Sequence, residues 1–277
     1  MSRLAPVLSI SHGGGPLPIL GEPSHRNITA SLKKKVPAIL KLGTPQQPRA
    51  IVLVTAHWST AKVTISNKEK PGLLYDYYGF PPESYELKHD APGSAEIAKE
   101  VEKALKEKGV ECALDGERDW DHGVFIPMML IDPKASIPLI QVSVLASENP
   151  AQSYAIGRAL HALRAQNIAI VGSGYATFHN LRLMFSPVSS TPQFKQENVK
   201  WSDAVTDAAM TDDVEERARK FEDWRNWPNA WQMHPRGGAE HFLPLIVCAG
   251  AAGETRGRKY SDEINGLDMW SYYWDEA

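Results

Sequence analysis

Nine histidines are spread over the 277 residues, and imidazole is the side chain best suited to hold a transition metal or to move a proton near neutral pH. Three of them follow apolar runs of buried-strand type. Val7-Leu8-Ser9-Ile10-Ser11 leads to His12, Ala50-Ile51-Val52-Leu53-Val54-Thr55 leads to His57-Trp58, and Ile168-Ala169-Ile170-Val171 leads through Gly172-Ser173-Gly174 to His179. In open α/β sheets ligands bind beyond the carboxyl ends of the strands, so these three imidazoles are expected to converge. His122, in the loop Trp120-Asp121-His122-Gly123, and His241, in the expected first turn of a helix beside Glu240, can reach the same crevice. Two histidines and a third ligand leave open positions on zinc or non-haem iron. His12, His57 and either His241 or Glu240 meet that count. His161 falls on the polar face of a helix, and His25, His89 and His234 lack a strand-end context, so these four are read as structural or exposed.

Other chemistry is weaker. The glycines at 13 to 15 lack the Gly-x-Gly-x-x-Gly opening or Gly-Lys-Ser/Thr ending of a phosphate cradle, and Ser173 lacks the spacing of a nucleophile elbow. Tyr75, Tyr77, Tyr78 and Phe80 are suited to wall a pocket for a flat aromatic ligand, with Gly79 as a hinge. Asp76 is read as capping that turn and Trp58 as bracing His57. Cys112 and Cys248 have no Cys-x-x-Cys spacing and are read as buried apolar side chains.

The elements that must position these residues alternate. A helix is expected from Gly93 to Lys108, with Ser94 as N-cap, followed by a short strand near Val110 to Leu114 and a loop from Asp115 to Gly123. A buried strand from Ile137 to Leu145, a helix from Asn149-Pro150 to Ala165 and the strand at Ile168 continue the pattern. Pro187 to Gln196 reads as a loop, and Glu197 to Arg225 as a helix-rich polar segment anchored by Trp224, Trp227 and Trp231. An apolar helix opens near Gly237 and ends near Ala252, and Trp270 to Trp274 is a final strand. The rhythm predicts an α/β fold: one domain over residues 1–277, with a central mostly parallel or mixed sheet flanked by helices on both faces.

Composition narrows the function. Thirty Lys+Arg against 33 Asp+Glu give a net charge of −3, without the basic footprint of a nucleic-acid binder. The longest apolar run, Phe242 to Ala252, is interrupted by Pro244 and falls short of the roughly 18 residues of a spanning helix. The segment before His12 is too short and polar for a signal peptide. A cytoplasmic protein without membrane or nucleic-acid partners, monomeric or a small homo-oligomer, is the expectation.

Taken together, Ser11-His12-Gly13-Gly14-Gly15-Pro16, Thr55-Ala56-His57-Trp58, Tyr75-Asp76-Tyr77-Tyr78-Gly79-Phe80-Pro81, Asp121-His122-Gly123, His179-Asn180-Leu181 and Glu240-His241-Phe242-Leu243-Pro244 resemble the class III extradiol ring-cleaving dioxygenases. More narrowly, they resemble the 4,5-DOPA dioxygenase extradiol branch. The resemblance implies a non-haem metal centre, Fe(II) for catalysis with Zn(II) able to bind, and insertion of both atoms of O2 beside the hydroxyl pair of a small catechol. It implies His12 and His57 as metal ligands and His122 and His179 as proton- and oxygen-handling residues. The third ligand falls on Glu240 in the wider class and on His241 in the DOPA-type branch, and His241 is placed first. The interval from Gly174 to His179 is one residue longer than in bacterial relatives, which leaves His179 in the site in either a catalytic or a ligand position.

In such an enzyme a histidine accepts a proton released by the diol, and Tyr75, Tyr78 and Phe80 contact the ring. Two rivals use the same residues. A zinc hydrolase would hold Zn²⁺ on His12, His57 and His241 and attack a carbonyl with bound water. A non-catalytic metal-binding or interaction protein would keep the fold and the pocket without turnover.

Overall fold

Apolar strands without alternation need cover on both faces, and the computed structural model, which describes residues 3–276, supplies it. The strands are β1 (Val7–Ser11), β2 (Ala50–Thr60), β3 (Val63–Ser66), β4 (Cys112–Asp115), β5 (Leu139–Leu145), β6 (Ile168–Gly174), β7 (Gly257–Ile264) and β8 (Leu267–Trp274). They form one sheet in the order β4-β3-β5-β2-β6-β1-β8-β7. The central strands β5, β2, β6 and β1 are parallel. Strand β3 runs antiparallel to β5 and parallel to β4, while β8 runs antiparallel to β1 and β7, so the sheet is mixed. Ile51 to Val54, Leu139, Ile140 and Ile168 to Val171 are all fully buried and make its core.

The helices are α1 (Leu17–Leu20), α2 (Arg26–Ile39), α3 (Ala95–Glu107), α4 (His122–Ile131), α5 (Pro150–Arg164), α6 (Leu181–Met184), α7 (Pro192–Ala209), α8 (Val214–Glu222), α9 (Ala230–Met233) and α10 (Leu243–Ala251). Neighbouring strand residues point to opposite faces. On β6, Gly172 lies against the Pro244 carbonyl of α10, whereas the Ser173 hydroxyl reaches the Gly123 carbonyl of α4. Helices therefore cover both faces. Among the described residues no helix is long and apolar enough to cross a membrane.

Several elements depart from the sequence reading. Strand β2 continues past Thr55 to Thr60, so His57 lies within it and not beyond its end. Pairing of β2 with β5 jumps from Thr55 opposite Ser143 to Ser59 opposite Val144, and pairing with β6 ends at Thr55. Ala56, His57 and Trp58 thus form a bulge free of both neighbours, a device that re-aims a side chain. His122 is not in a loop but is the first residue of α4. That helix is apolar on every side and contains Pro127, which hides its periodicity.

Helix α10 starts later than expected, at Leu243, so His241 sits just before it and not in its first turn. Helix α7 starts earlier, at Pro192 inside the segment read as loop. There the Thr191 hydroxyl accepts from the Phe194 N–H at 3.2 Å, and proline follows at the first helical position. The final strand is one half of the β7–β8 hairpin.

Helices α5 and α10 meet through glycine. A Cβ on Gly157 would collide with the Val247 carbonyl, and one on Gly250 with the Tyr154 carbonyl. Two arginines then tie down the end of α10. Arg164 donates to the carbonyls of Ala251 and Ala252, and Arg217 donates to that of Gly253, complementing the negative end of the helix. Gly250→Ala removes helix-interior glycine, a gain of about 1 kcal/mol by propensity, but forces the two backbones apart. The expected net outcome is a loss of about 1–3 kcal/mol, the usual range for overpacking, read as a lower denaturation midpoint with unchanged m-value.

Candidate metal centre

Each ring of the centre is held through its Nδ1 atom. His12 leaves the end of β1 and enters a turn where Gly13 has φ +89° and Gly15 has φ +53°, values that favour glycine. The Gly14 N–H donates to His25 Nε2 at 3.0 Å, so His25 fastens this turn. His12 Nδ1 lies 3.0 Å from Ser173 Oγ, and Ser173 Oγ lies 2.5 Å from the Gly123 carbonyl. That carbonyl is free because its helical partner four residues on would be Pro127, which has no N–H. The serine proton goes to Gly123, so Ser173 must accept from His12 Nδ1–H. The Nε2 atom of His12 is left without a proton.

The same logic holds at the other two rings. His241 Nδ1 is 2.8 Å from Glu240 Oε1, and His57 Nδ1 faces Asp76 Oδ2 at 3.5 Å. A carboxylate only accepts, which assigns the His241 proton to Nδ1, and the carboxylate facing His57 Nδ1 favours the same tautomer there. His57 Nε2 then stands 3.2 Å from His12 Nε2 and 3.2 Å from His241 Nε2. These are three lone pairs with no hydrogen between them. Tetrahedral zinc at about 2.0–2.1 Å from each nitrogen would set neighbouring ligands about 3.3 Å apart, so the spacing fits a divalent ion.

Burial keeps the rings neutral. It lowers His12 and His241 well below the usual imidazole range and brings His57 to about 3, each reinforced by neighbouring imidazoles; Asp76 partly opposes the shift at His57. Neutral imidazole is the form that binds metal.

Two further histidines flank the trio. His122 Nδ1 is 2.8 Å from Asp76 Oδ1, which also accepts the His122 backbone N–H at 2.9 Å. Burial pushes the Asp76 carboxyl up, but the hydrogen bonds and charge of His122 outweigh it and the net direction is down. The ring of His122 lies 3.7 Å from that of His57, centroid to centroid. On the other side His179 stacks on His241 at 3.4 Å and 15°, with Nδ1 3.8 Å from Glu240 Oε1. Burial lowers His179 to about 4 and raises Glu240.

Backbone contacts set these rings in place. The Tyr175 N–H donates to the His241 carbonyl at 2.9 Å, and a Cβ on Gly174 would collide with that carbonyl. A Cβ on Gly123 would come within 2.9 Å of the His57 ring. Arg118 donates to the His57 carbonyl and to Asp121, each at 3.0 Å, and its guanidinium lies 4.7 Å over Trp58. The bulge is thereby anchored from outside.

The structure gathers His12, His57, His122, His179, Glu240 and His241 around one cavity of about 760 Å³. Glu240 is engaged with the His241 ring. Tyr78 and Phe80 line the cavity, Tyr78 at its exposed rim. Tyr75 does not line it: its hydroxyl donates to the Leu87 carbonyl at 2.6 Å and its ring packs on Phe125. Tyr77 takes that wall position, with its hydroxyl on the Ser84 carbonyl.

His25 lines the cavity as well as fastening the turn, whereas His234 and His161 hold backbone elsewhere. His234 is buried with Nε2 3.1 Å from the Ala176 carbonyl, and His161 Nδ1 lies 2.8 Å from the Ala251 carbonyl. Three participants were not singled out by sequence. Asp76 had been read as a turn cap, Ser173 as a weak nucleophile, and Tyr175 not at all. Tyr175 is buried edge-on to His12 at 5.3 Å, and burial raises its phenol far above the usual range. Its position, two residues past Ser173 at the end of β6, is the one signal that could have found it.

Comparisons with known proteins agree with this geometry. The family described as the catalytic LigB subunit of aromatic ring-opening dioxygenase matches residues 6–273. A protein of Hapsidospora irregularis named dioxygenase tasH is 52% identical over 98% of this chain and 86% of its own length. A 4,5-DOPA dioxygenase extradiol of Beta vulgaris is 32% identical over 88% of this chain and 86% of its own. The crystal structure of an uncharacterized protein from Escherichia coli K12 superposes with a TM-score of 0.72 at 28% identity, covering 98% of this chain and 100% of that one. Residues 6–273 take in every strand of the sheet and all the histidines gathered at its edge, and the chain belongs to the LigB family of class III extradiol ring-opening dioxygenases.

Proposed function

We propose that this protein opens a catechol-type ring beside its diol, adding both atoms of dioxygen, with His12, His57 and His241 holding one divalent iron. The observation that carries this reading is the placement of His57 Nε2 at 3.2 Å from both His12 Nε2 and His241 Nε2, beside a cavity walled by Tyr77 and Phe80. The Beta vulgaris relative is named a 4,5-DOPA dioxygenase extradiol, which supports a diol as the substrate class.

A bound ferrous ion would supply Lewis-acid activation of the diol and a path by which electrons pass from the diol to dioxygen. The chain's own residues do the rest. His122, tied at Nδ1 to Asp76, presents Nε2 as the acceptor for a hydroxyl proton of the diol. His179, stacked on His241, stands on the opposite flank as a hydrogen-bond partner for oxygen. Tyr77 and Phe80 orient the ring between these flanks, and the buried Tyr175 keeps water away from His12.

His12→Ala, His57→Ala and His241→Ala are each expected to lose stoichiometric metal in elemental analysis. Ser173→Ala and Glu240→Gln should keep one ion and weaken its affinity about 10–100-fold, the usual effect of removing a group that orients a ligand, measured by competition with a chelator. Loss of the ion in Glu240→Gln as complete as in His241→Ala would make the carboxylate the ligand.

His122→Gln is expected to retain metal and to lower kcat by about 10²–10⁴-fold, the range for a positioned acid or base. An unchanged kcat would remove His122 from the proton path.

The decisive test is anaerobic loading with Fe(II) followed by a catechol panel in air. The expected result is equimolar oxygen uptake and a yellow semialdehyde product. Imidazole sites bind zinc more tightly than Fe(II), so protein purified without iron loading is expected to carry zinc and stay inactive. Ester or amide hydrolysis by the zinc form, with no oxygen uptake by the iron form, would establish the hydrolase instead.

A further inference from the structure

The cavity is far larger than its chemistry needs. At about 760 Å³ it lies in the range, roughly 300–1,000 Å³, that buries most of a drug-sized ligand. A diol ring with a short side chain would leave most of it to water. Beyond the histidines its walls become apolar: Leu17, Leu181, Met184, Phe185 and Ile264 line the outer part. Leu181 is 56% exposed and Phe185 86% exposed, an arrangement that leaves large apolar surface on the short helix α6 facing the mouth. Exposed apolar clusters of this kind mark binding surfaces.

The charge of the lining points the same way. Among the described residues that line the cavity none is lysine or arginine, and its carboxylates are Glu22 and Glu240. Arg182, on α6, is exposed and does not line it. Away from the metal-binding end, a carboxylate on the substrate would therefore lose water, meet no lysine or arginine and face Glu22 and Glu240. A neutral hydrocarbon chain would gain by covering the α6 side chains.

Resting on the dioxygenase reading above, we propose that the substrate is a catechol bearing an uncharged apolar substituent several carbons long, and that Leu181, Met184 and Phe185 seat that substituent. Each methylene placed there is expected to tighten binding about 3–4-fold, the equivalent of roughly 0.8 kcal/mol per buried CH₂.

The test compares catechol, 4-methylcatechol, 4-butylcatechol, dopamine and 3,4-dihydroxyphenylpropionate. Affinity is measured by calorimetry on the zinc-loaded protein without oxygen, and kcat/KM on the iron-loaded protein. From methyl to butyl, affinity should rise roughly 30–60-fold over three methylenes, with dopamine and the propionate weaker than 4-butylcatechol. Phe185→Ala, at an exposed position whose loss leaves the core intact, should shrink the butyl-to-methyl ratio several-fold. Leu181→Lys should favour the propionate over butyl relative to the parent protein.

Equal affinities for methyl and butyl, or a charged catechol preferred over butyl, would overturn the proposal while ring opening by the iron form leaves the dioxygenase reading standing. A methylene increment in the zinc form without oxygen uptake in the iron form would support the apolar seat and defeat the dioxygenase reading. Absence of binding by every member of the series would end both.

Discussion

The centre depends on how three buried imidazoles are oriented, with His57 Nε2 at 3.2 Å from the Nε2 atoms of both His12 and His241. Burial lowers all three below the usual imidazole range, which favours the neutral form that binds metal. The grip is exerted at the far side of each ring, where Ser173, Asp76 and Glu240 take the Nδ1 protons. An oriented, deprotonated ligand set lowers the cost of binding an ion, because little has to move.

Irregular backbone makes this grip possible. Pro127 strips the Gly123 carbonyl of its helical donor, and that vacancy is what Ser173 fills while it accepts from His12. A defect in α4 thereby becomes the support for a ligand on β1. The three unpaired residues of the β2 bulge release His57 from the sheet geometry, and Arg118 binds its carbonyl from behind. Where local rules are broken, at a proline inside a helix and a gap in a strand ladder, the break serves the site.

The fold was legible because its strands are long apolar runs and its helices carry ordinary caps, such as Ser94 at 3.2 Å from the Ile97 N–H. The placing of His12 and His179 followed from one rule about strand ends, whereas His57 reaches the same crevice from a bulge inside β2. What was not legible depended on contacts between remote segments. Asp76 and His122 are 46 residues apart, and nothing local says that the carboxylate turns toward the histidine and not toward its own loop. Helix α4 lacked periodicity because all its faces are buried. Tyr75 and Tyr77 have the same composition and opposite fates, decided by which of the two backbone carbonyls, Leu87 or Ser84, lies within reach of its hydroxyl.

The two flanks of the centre are not equivalent, and the difference lies in their carboxylates. Asp76 receives two hydrogen bonds from His122 and faces His57, which stabilises its ionised form despite burial. Glu240 contacts His241 closely but His179 only at 3.8 Å, and burial there dominates. An ionised partner fixes the tautomer of the imidazole it binds, so His122 has one defined acceptor nitrogen. His179, held mainly by stacking and lacking a comparable partner, has no proton assigned to either nitrogen by geometry. The proposed division of labour, proton removal by His122 and oxygen recognition by His179, rests on this difference, since only the first flank offers a base whose acceptor nitrogen is oriented by a hydrogen-bonded carboxylate.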